Sequence, residues 1–455
     1  MTTITSLGVG SGLDLTSLLD QLQQGENEKL TPITTRKQSY QTKISAFGAL
    51  SSALTSFQDA VKALNDTSTF QAVTNNVSGD ALTASTSSDT PPGNYLINVS
   101  QLAQASSAAT LGVADKEANL GAGTINMTLG SGEVVSVDIG AQDSSLEDIR
   151  DAINAQADGV RASLISDGSD QPYRLVLTAS ETGTEAAVSD IQFSGALGSS
   201  LSLDPAAQQD GLDAQLKVNG IQVTSPSNSV EGAIQGVTLK LSAEGESTLQ
   251  VNRDDKGIKS AVTDFVDAYN QLQKTLDTLT SYDADSGSAG VLLGNSTVRS
   301  VESRLSSVLS GAVDNDTFKV LSSVGVELQL DGTLKVDDDK LDAAVSDNLD
   351  ALQKFFAGDG DGTTGMAGLL DSAIDKMTGD QGLITSATDG LNQSIDSLND
   401  LYDRTQQQIN STMARYRSQF SQLDTLIAKM NSTSTYLTQQ FEALSNINKS
   451  SSSSS

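Results

Sequence analysis

Residues 413–444 read MARYRSQFSQLDTLIAKMNSTSTYLTQQFEAL. Met413, Tyr416, Phe420, Leu423, Ile427 and Met430 follow alternating steps of three and four. Ser434 interrupts the register, and Leu437, Phe441 and Leu444 resume it. Such steps bring side chains onto one stripe of an α-helix, and a stripe held over this many turns is the pattern of a coiled coil. Upstream, Leu391, Ile395, Leu398, Tyr402 and Ile409 keep a similar spacing, with one slip between 409 and 413. From Leu391 onward neither Gly nor Pro interrupts the chain. The expectation is a helix of about 55 residues, about 80 Å long at 1.5 Å per residue. That exceeds the core of a compact domain, so the helix requires partners along its length. The final residues, 448–455, are almost all Ser, have nothing to bury, and are expected to be disordered.

The same rhythm recurs near the other end, in Ile44, Phe47, Leu50, Leu54, Phe57, Val61 and Leu64, preceded by a shorter stripe of Leu15, Leu18, Leu19 and Leu22. Pairing of the two terminal helical regions into a stalk follows; an ordinary helical bundle inside one domain is the alternative. Charge divides the chain in the same way. Residues 1–43 hold four acids (Asp14, Asp20, Glu26, Glu28) and four bases (Lys29, Arg36, Lys37, Lys43). Residues 391–455 hold five acids and five bases, so the whole formal charge of −30 lies between these ends. Neutral ends can pack beside similar chains without strong repulsion, and the acidic middle has the character of a solvated region.

Between about 71 and 255 the pattern changes to short strands. Residues 93–103 (GNYLINVSQLA) alternate after a Pro-Pro-Gly turn. Residues 125–139 suggest a hairpin around Gly130–Gly132. Residues 144–156 form an amphipathic helix that Ser144 or Ser145 can cap, with Leu146, Ile149 and Ile153 on one face. Residues 160–166 and 173–180 are two further strands. Residues 216–224 carry Asn-Gly, a strong hairpin signal, and 237–252 form another hairpin candidate. Then 257–282 is helical, 328–336 (LQLDGTLKV) is a hairpin turning at Asp-Gly, and 338–358 is an amphipathic helix ending at Gly358. The fold class is α+β and multidomain, with long terminal coiled-coil helices, a helical domain and inserted strand-rich domains. The division expected is 1–42 with 413–455 as a terminal coiled-coil leg and 43–70 with 256–412 as a helical domain with a hairpin. Residues 71–105 with 215–255 form a strand-rich domain, and 106–214 an inserted, strand-rich outer domain.

Composition removes much chemistry. The 455 residues include no His, no Cys and no Trp. A Ser-His-Asp triad, a Cys nucleophile, a zinc site with nitrogen or sulfur ligands and a disulfide are all excluded. Carboxylate or Ser/Lys chemistry survives in principle, yet nothing singles out a pair among 57 acids, and few aromatics are available to line a sugar cleft. No enzymatic activity and no cofactor are expected. The net negative charge makes nucleic acid a poor partner. No apolar stretch reaches the length of a membrane span, and the first 20 residues lack the basic start and apolar core of a signal peptide, so export would need a dedicated machine. GVGSG at 8–12 superficially matches a phosphate loop but follows no strand. The Asp runs at 337–339 and 359–361 lack the late Glu of a calcium loop; the first is better placed to start a helix, and the second is a Gly-rich loop.

Taken in order, several segments resemble the flagellar hook-associated protein 2 family. ITSLGVGSGLDLTSLLDQL (4–22) is similar to its N-terminal motif and VTDFVDAYNQLQKTL (262–276) to its central helix. GVLLGNSTVRSVESRL (290–305) and LSSVGVELQLDGTLKVDDDKLDAAV (321–345) are similar to the next two blocks, and 416–441 to its closing coil. Residues 121–180 also resemble a repeat unit shared by flagellin and hook-associated proteins. The resemblance implies a structural cap at the filament tip that forms a ring of about five subunits, as closed homo-oligomers do, and promotes insertion and folding of exported flagellin. It implies a plate of strand-rich domains, legs of terminal helices, and a leg or ring rearrangement that opens one gap at a time. The implied partners are the chain itself, flagellin, hook–filament junction proteins and an export chaperone. The implied location is the extracellular distal tip, reached through the flagellar type III apparatus without a cleaved signal peptide. Leg packing and partner contact would then fall to Leu15, Leu18, Leu22, Met413, Tyr416, Phe420, Leu423, Ile427, Leu437, Phe441 and Leu444. A surface adhesin that binds host glycans or mucus through the middle domains, and another axial protein such as a junction protein or flagellin, are the competing readings.

Overall fold

The structure, a computed structural model, describes residues 11–360 and 362–451. Its helices are α1 (Leu15–Asn27), α2 (Thr31–Asn65), the single turn α3 (Thr67–Phe70), α4 (Leu146–Gln156), the single turn α5 (Leu197–Ser200), α6 (Asp255–Thr280), α7 (Ser296–Leu309), α8 (Asp338–Asp347), α9 (Leu349–Ala357), α10 (Met366–Thr378) and α11 (Leu383–Ser451). The chain divides into two compact units, residues 67–260 and residues 1–66 with 261–455.

The 67–260 unit holds two separate cores. In the first, a five-stranded sheet runs in the order Val73–Ser78, Gly245–Arg253, Gly93–Gln101, Ala214–Val218, Ile221–Ser225. A three-stranded sheet runs Ser229–Ile234, Val237–Leu241, Leu82–Thr86. All pairings are antiparallel, so each strand can bury alternate residues on one face. Ile97, Leu216, Leu249 and Val251 from one sheet meet Leu82, Val230, Leu239 and Leu241 from the other in one cluster. The Asn-Gly hairpin forms as its residues require: Asn219 sits at φ 49° and Gly220 at φ 86°, the left-handed pair that suits a tight turn between twisted strands.

Residues 237–252 are not a hairpin. Val237–Leu241 pairs with Ser229–Ile234 and Leu82–Thr86, whereas Gly245–Arg253 pairs with Val73–Ser78 and Gly93–Gln101. The N–H groups of Ser242 and Ala243 both donate to the Ala81 carbonyl (2.9 and 3.1 Å), and the chain there passes from one sheet to the other. Both strands alternate because both face the same core, from opposite sides.

The second core lies under the sheet Leu203–Gln209, Ser107–Thr110, Tyr173–Ala179, Val160–Ser166 and the sheet Val134–Ile139, Gly123–Leu129, Val188–Phe193. Helix α4 supplies Leu146, Ile149 and Ile153 to it. Its start is fixed by Ser145: the Ser145 hydroxyl accepts from Asp148 N (3.2 Å), and the Asp148 carboxylate accepts from Ser145 N (3.1 Å). This reciprocal pair satisfies two amides that the first turn leaves free.

In the other unit the stripe Phe47, Leu50, Leu54, Phe57, Val61 and Leu64 of α2 is buried. Phe57 lies 5.4 Å from Phe265 and 5.5 Å from Tyr269 of α6, and Phe265 lies 6.3 Å from Phe356 of α9, in tilted and edge-on arrangements that aromatic rings favour. Gln58 is buried beside them and donates to Asp371 (2.8 Å) and Asp375 (2.7 Å), one turn apart on α10. The Asp-Gly hairpin pairs Val326–Leu328 with Leu334–Val336.

Residues 338–358 are two helices rather than one. Asn348, at φ −139° and ψ 39°, ends α8 and precedes α9. The break lets α8 pack on the 3₁₀ turn Leu321–Val324 while α9 packs on α2 and α10, which one straight helix could not do. The left-handed Gly358 (φ 67°) ends α9 where expected. Helix α11 begins at Leu383, ahead of Leu391, and carries Gly390 inside it; a Cβ at Gly390 would meet nothing. Its 69 residues span about 100 Å at 1.5 Å each. Residues 448–451, expected to be disordered, continue this helix, and 452–455 lie outside the described residues.

A seam closed at one end and open at the other

Helix α1, the 3₁₀ turn Glu28–Leu30 and helix α11 meet in a small cluster of buried Leu19, Leu30, Ile409 and Met413, with Leu22, Tyr402, Tyr416 and Phe420 partly buried around it. The sequence slip between 409 and 413 has a simple reading here: both residues face the same seam one turn apart. Leu30 and Tyr402 were outside the expected contact set. Leu30 follows a stretch without regular apolar spacing, although Thr31-Pro32 marks a helix restart just after it. Asp14 caps α1 by accepting from Ser17 N (3.0 Å), Ser11 N donates to the Asp424 carboxylate (2.7 Å), and Lys37 donates to Asn399 (2.8 Å).

Of the residues expected to make the leg, Leu15, Leu22, Met413, Tyr416 and Phe420 are buried or half-buried, and Ile427 is half-buried. Leu18 lies at the edge of the α1 stripe and is 44 % exposed. Leu423, Leu437, Phe441 and Leu444 are exposed, Phe441 at 68 %. Leu426, Met430 and Tyr436 join them. From 429 to 446 every residue of α11 is exposed.

Magnitudes separate the two ends of this seam. Each buried leucine-sized side chain contributes about 1.5–3 kcal/mol. Helix α1, with 13 residues, is near the length at which an isolated helix is marginal in water. A few such side chains hold it, so this contact can open locally at modest cost. Among the described residues nothing covers α11 from 429 to 446.

Among the described residues no group of three or more acidic side chains is arranged to hold a metal ion, and no helix is long and apolar enough to cross a membrane. Residues 8–10 of GVGSG, the start of the 4–22 motif, and Asp361 of the second Asp run lie outside the described residues. Asp337 does start a helix: its carboxylate accepts from Lys340 N at 3.2 Å. Glu302 on α7 is pushed above the usual carboxylate range by burial and by Asp277.

The fold defines a class: an α+β protein with long helices near both ends and a strand-rich middle. The particular family follows from similarity to known proteins. Residues 11–106 match the model of the flagellar hook-associated protein 2 N-terminus, 211–432 that of its C-terminus, and 124–181 the flagellin hook IN motif. The chain is 37 % identical to the flagellar hook-associated protein 2 of Escherichia coli (strain K12), over 98 % of this chain and 100 % of that protein. It is 33 % identical to the B-type flagellar hook-associated protein 2 of Pseudomonas aeruginosa, over 80 % of this chain and 81 % of that one. The crystal structure of the D1-D2-D3 domains of the flagellar cap protein FliD from Escherichia coli superposes with a TM-score of 0.64 at 32 % identity, covering 76 % of this chain and 99 % of that chain. The chain belongs to the flagellar hook-associated protein 2 family.

Proposed function

We propose that this chain is the cap at the distal tip of the flagellar filament, and that the open end of its α11 stripe is the part that engages other subunits there. The observation that carries this reading is the run of exposed Leu437, Phe441 and Leu444 on the stretch of α11 from 429 to 446, which no described residue covers. Residues 1–42 with 413–455 act as the leg, and 43–70 with 256–412 as the helical domain behind it. Residues 71–105 with 215–255 and residues 106–214 are the two strand-rich domains. The leg contacts are Leu15, Leu18, Leu22, Met413, Tyr416 and Phe420 on the closed side and Leu423, Ile427, Leu437, Phe441 and Leu444 on the open side. About five copies close a ring, since most soluble homo-oligomers adopt closed symmetry. Flagellin enters beneath it as a leg re-pairs, the hook–filament junction proteins hold the cap before the first flagellin arrives, and a chaperone covers the apolar stripe before export. The exported chain keeps its full length.

Deletion of residues 430–455 tests this. Both compact units stay folded, filament growth stops, and flagellin appears in the medium. Filaments of normal length from the deleted chain would sink the reading. The mass of the extracellular protein tests the full-length claim, and light scattering of the purified assembly tests the subunit number.

A further inference from the structure

The turn between Leu328 and Leu334 presents an apolar tip to solvent. Leu330 is fully exposed and Leu328 is about half exposed. Bonds within the turn fix its shape, and Asn270 of α6 anchors its far end, accepting from Leu334 N (2.8 Å) and donating to Leu334 O (2.9 Å). Gln329 N donates to Thr333 O (2.8 Å), Gly332 N donates to Gln329 O (3.1 Å), and Gly332 takes a left-handed φ of 84°. The Asp331 carboxylate accepts from Thr333 N (3.0 Å) and its hydroxyl (2.6 Å). A knob already fixed in this way loses little freedom on docking. Asp331 at the tip gives it a negative charge, while Glu327 at its base is paired with Lys340 (2.7 Å).

The same unit carries a groove of the opposite character. Helices α7 and α10 enclose a groove of about 490 Å³, with Val308, Met366, Leu369 and Ala373 along it and Arg304 and Lys376 at its rim. Leu369 is 42 % exposed there. Both rim cations are exposed, and among the described residues neither has an ion-pair partner, in a chain whose formal charge is −30. Acidic knob and cation-rimmed apolar groove are complementary in both polarity and charge.

We infer that neighbouring copies of this chain join head to tail, with Leu330 of one copy seated between Arg304 and Lys376 of the next. The inference rests on the ring proposed above and supplies a contact for it. A head-to-tail ring needs two different patches on each subunit, each complementary to the other, and both patches here belong to one unit of one chain. The occupant is a second copy because strongly acidic chains repel one another unless a local pair of opposite charges sets their register. The paired charges at the rim fix orientation, and the leucine supplies the buried anchor.

The absence of cysteine makes the test clean. The full-length variant Leu330→Cys/Leu369→Cys, oxidised after assembly, gives a ladder of covalent oligomers on denaturing gels, while either single variant gives none. Independently, Leu330→Ser and Arg304→Glu/Lys376→Glu each raise the concentration for half-assembly by about tenfold or more, as loss of an anchor does, with unchanged thermal melting. Adding Asp331→Lys to the second variant restores assembly. If the chain assembles by light scattering but the double-cysteine variant does not cross-link, this contact is wrong and the ring stands. If Leu330→Ser assembles normally but loses flagellin, the tip serves another partner and the inference falls. If the unmodified chain stays monomeric at every concentration and on filament ends, ring and contact fail together.

Discussion

The 106–214 region and the far end of α11 contain similar kinds of apolar residue and treat them in opposite ways. In the first, two sheets and α4 close over Ile125, Ile149, Leu175 and Leu177 until none is accessible. In the second, Leu437, Phe441 and Leu444 follow as regular a pattern and remain in water. Periodicity therefore reports which face is apolar, and topology decides whether the chain covers that face itself. A closed core contributes to the stability of the isolated chain; an open stripe contributes only when another chain arrives.

Substitutions separate the two regions by size of effect. Leu175→Ala leaves a cavity in the closed core and lowers unfolding stability by about 2–5 kcal/mol, read by denaturant titration of the strand-rich unit. A loss below about 1 kcal/mol would mean that this core is loosely packed. Gln58→Leu leaves the Asp371 and Asp375 carboxylates without a shared donor and costs about 0.5–1.5 kcal/mol in the helical unit. Ser145→Ala removes one half of the α4 cap and costs about 1 kcal/mol. Phe441→Ala changes the stability of the isolated chain by no more than about 0.5 kcal/mol, yet it shortens or abolishes filaments. A large stability loss from Phe441→Ala would show that the stripe is already covered within one chain.

Acid sharpens the same contrast through a smaller effect. The backbone amide of Ser169, then its hydroxyl, then Arg174 hold the Asp167 carboxyl at about 2, and Arg174 also bonds Asp204 at 2.7 Å. The folded pKa lies below the unfolded value of about 3.9. The contribution is therefore present above about pH 4 and disappears as pH falls through about 2. Arg174→Gln makes the fall of melting temperature between pH 4 and pH 2 shallower for the strand-rich unit. Phe441→Ala leaves that slope unchanged.

Where sequence reading succeeded, the signal was local. Steps of three and four located α2 and α11, Asn219-Gly220 located a hairpin through its left-handed backbone, and Ser145 located a helix start. Where it failed, the deciding contact was distant. The strands within 237–252 looked like partners because they alternate in phase, but Ala81 takes the connecting amides and sends them to separate sheets. Asn348 breaks a helix that its apolar spacing would continue, because α8 and α9 have different neighbours to pack on. The helix expected from Leu391 starts earlier, at Leu383, because Gly390 costs only about 1 kcal/mol in a helix interior and its flanks extend through it.

By itself the sequence determined the α+β class, the long terminal helices, the neutral charge of both ends and the exclusion of His, Cys and metal–thiolate chemistry. Each follows from residue identity or from spacing along one element. Only the tertiary structure decided which leucines of the stripe are covered, that Leu18 turns out while Leu30 turns in, and that Leu330 stands clear of its own chain. Burial is a property of what lies opposite a side chain, and the opposite surface is set by folding across hundreds of residues rather than by the spacing within one helix.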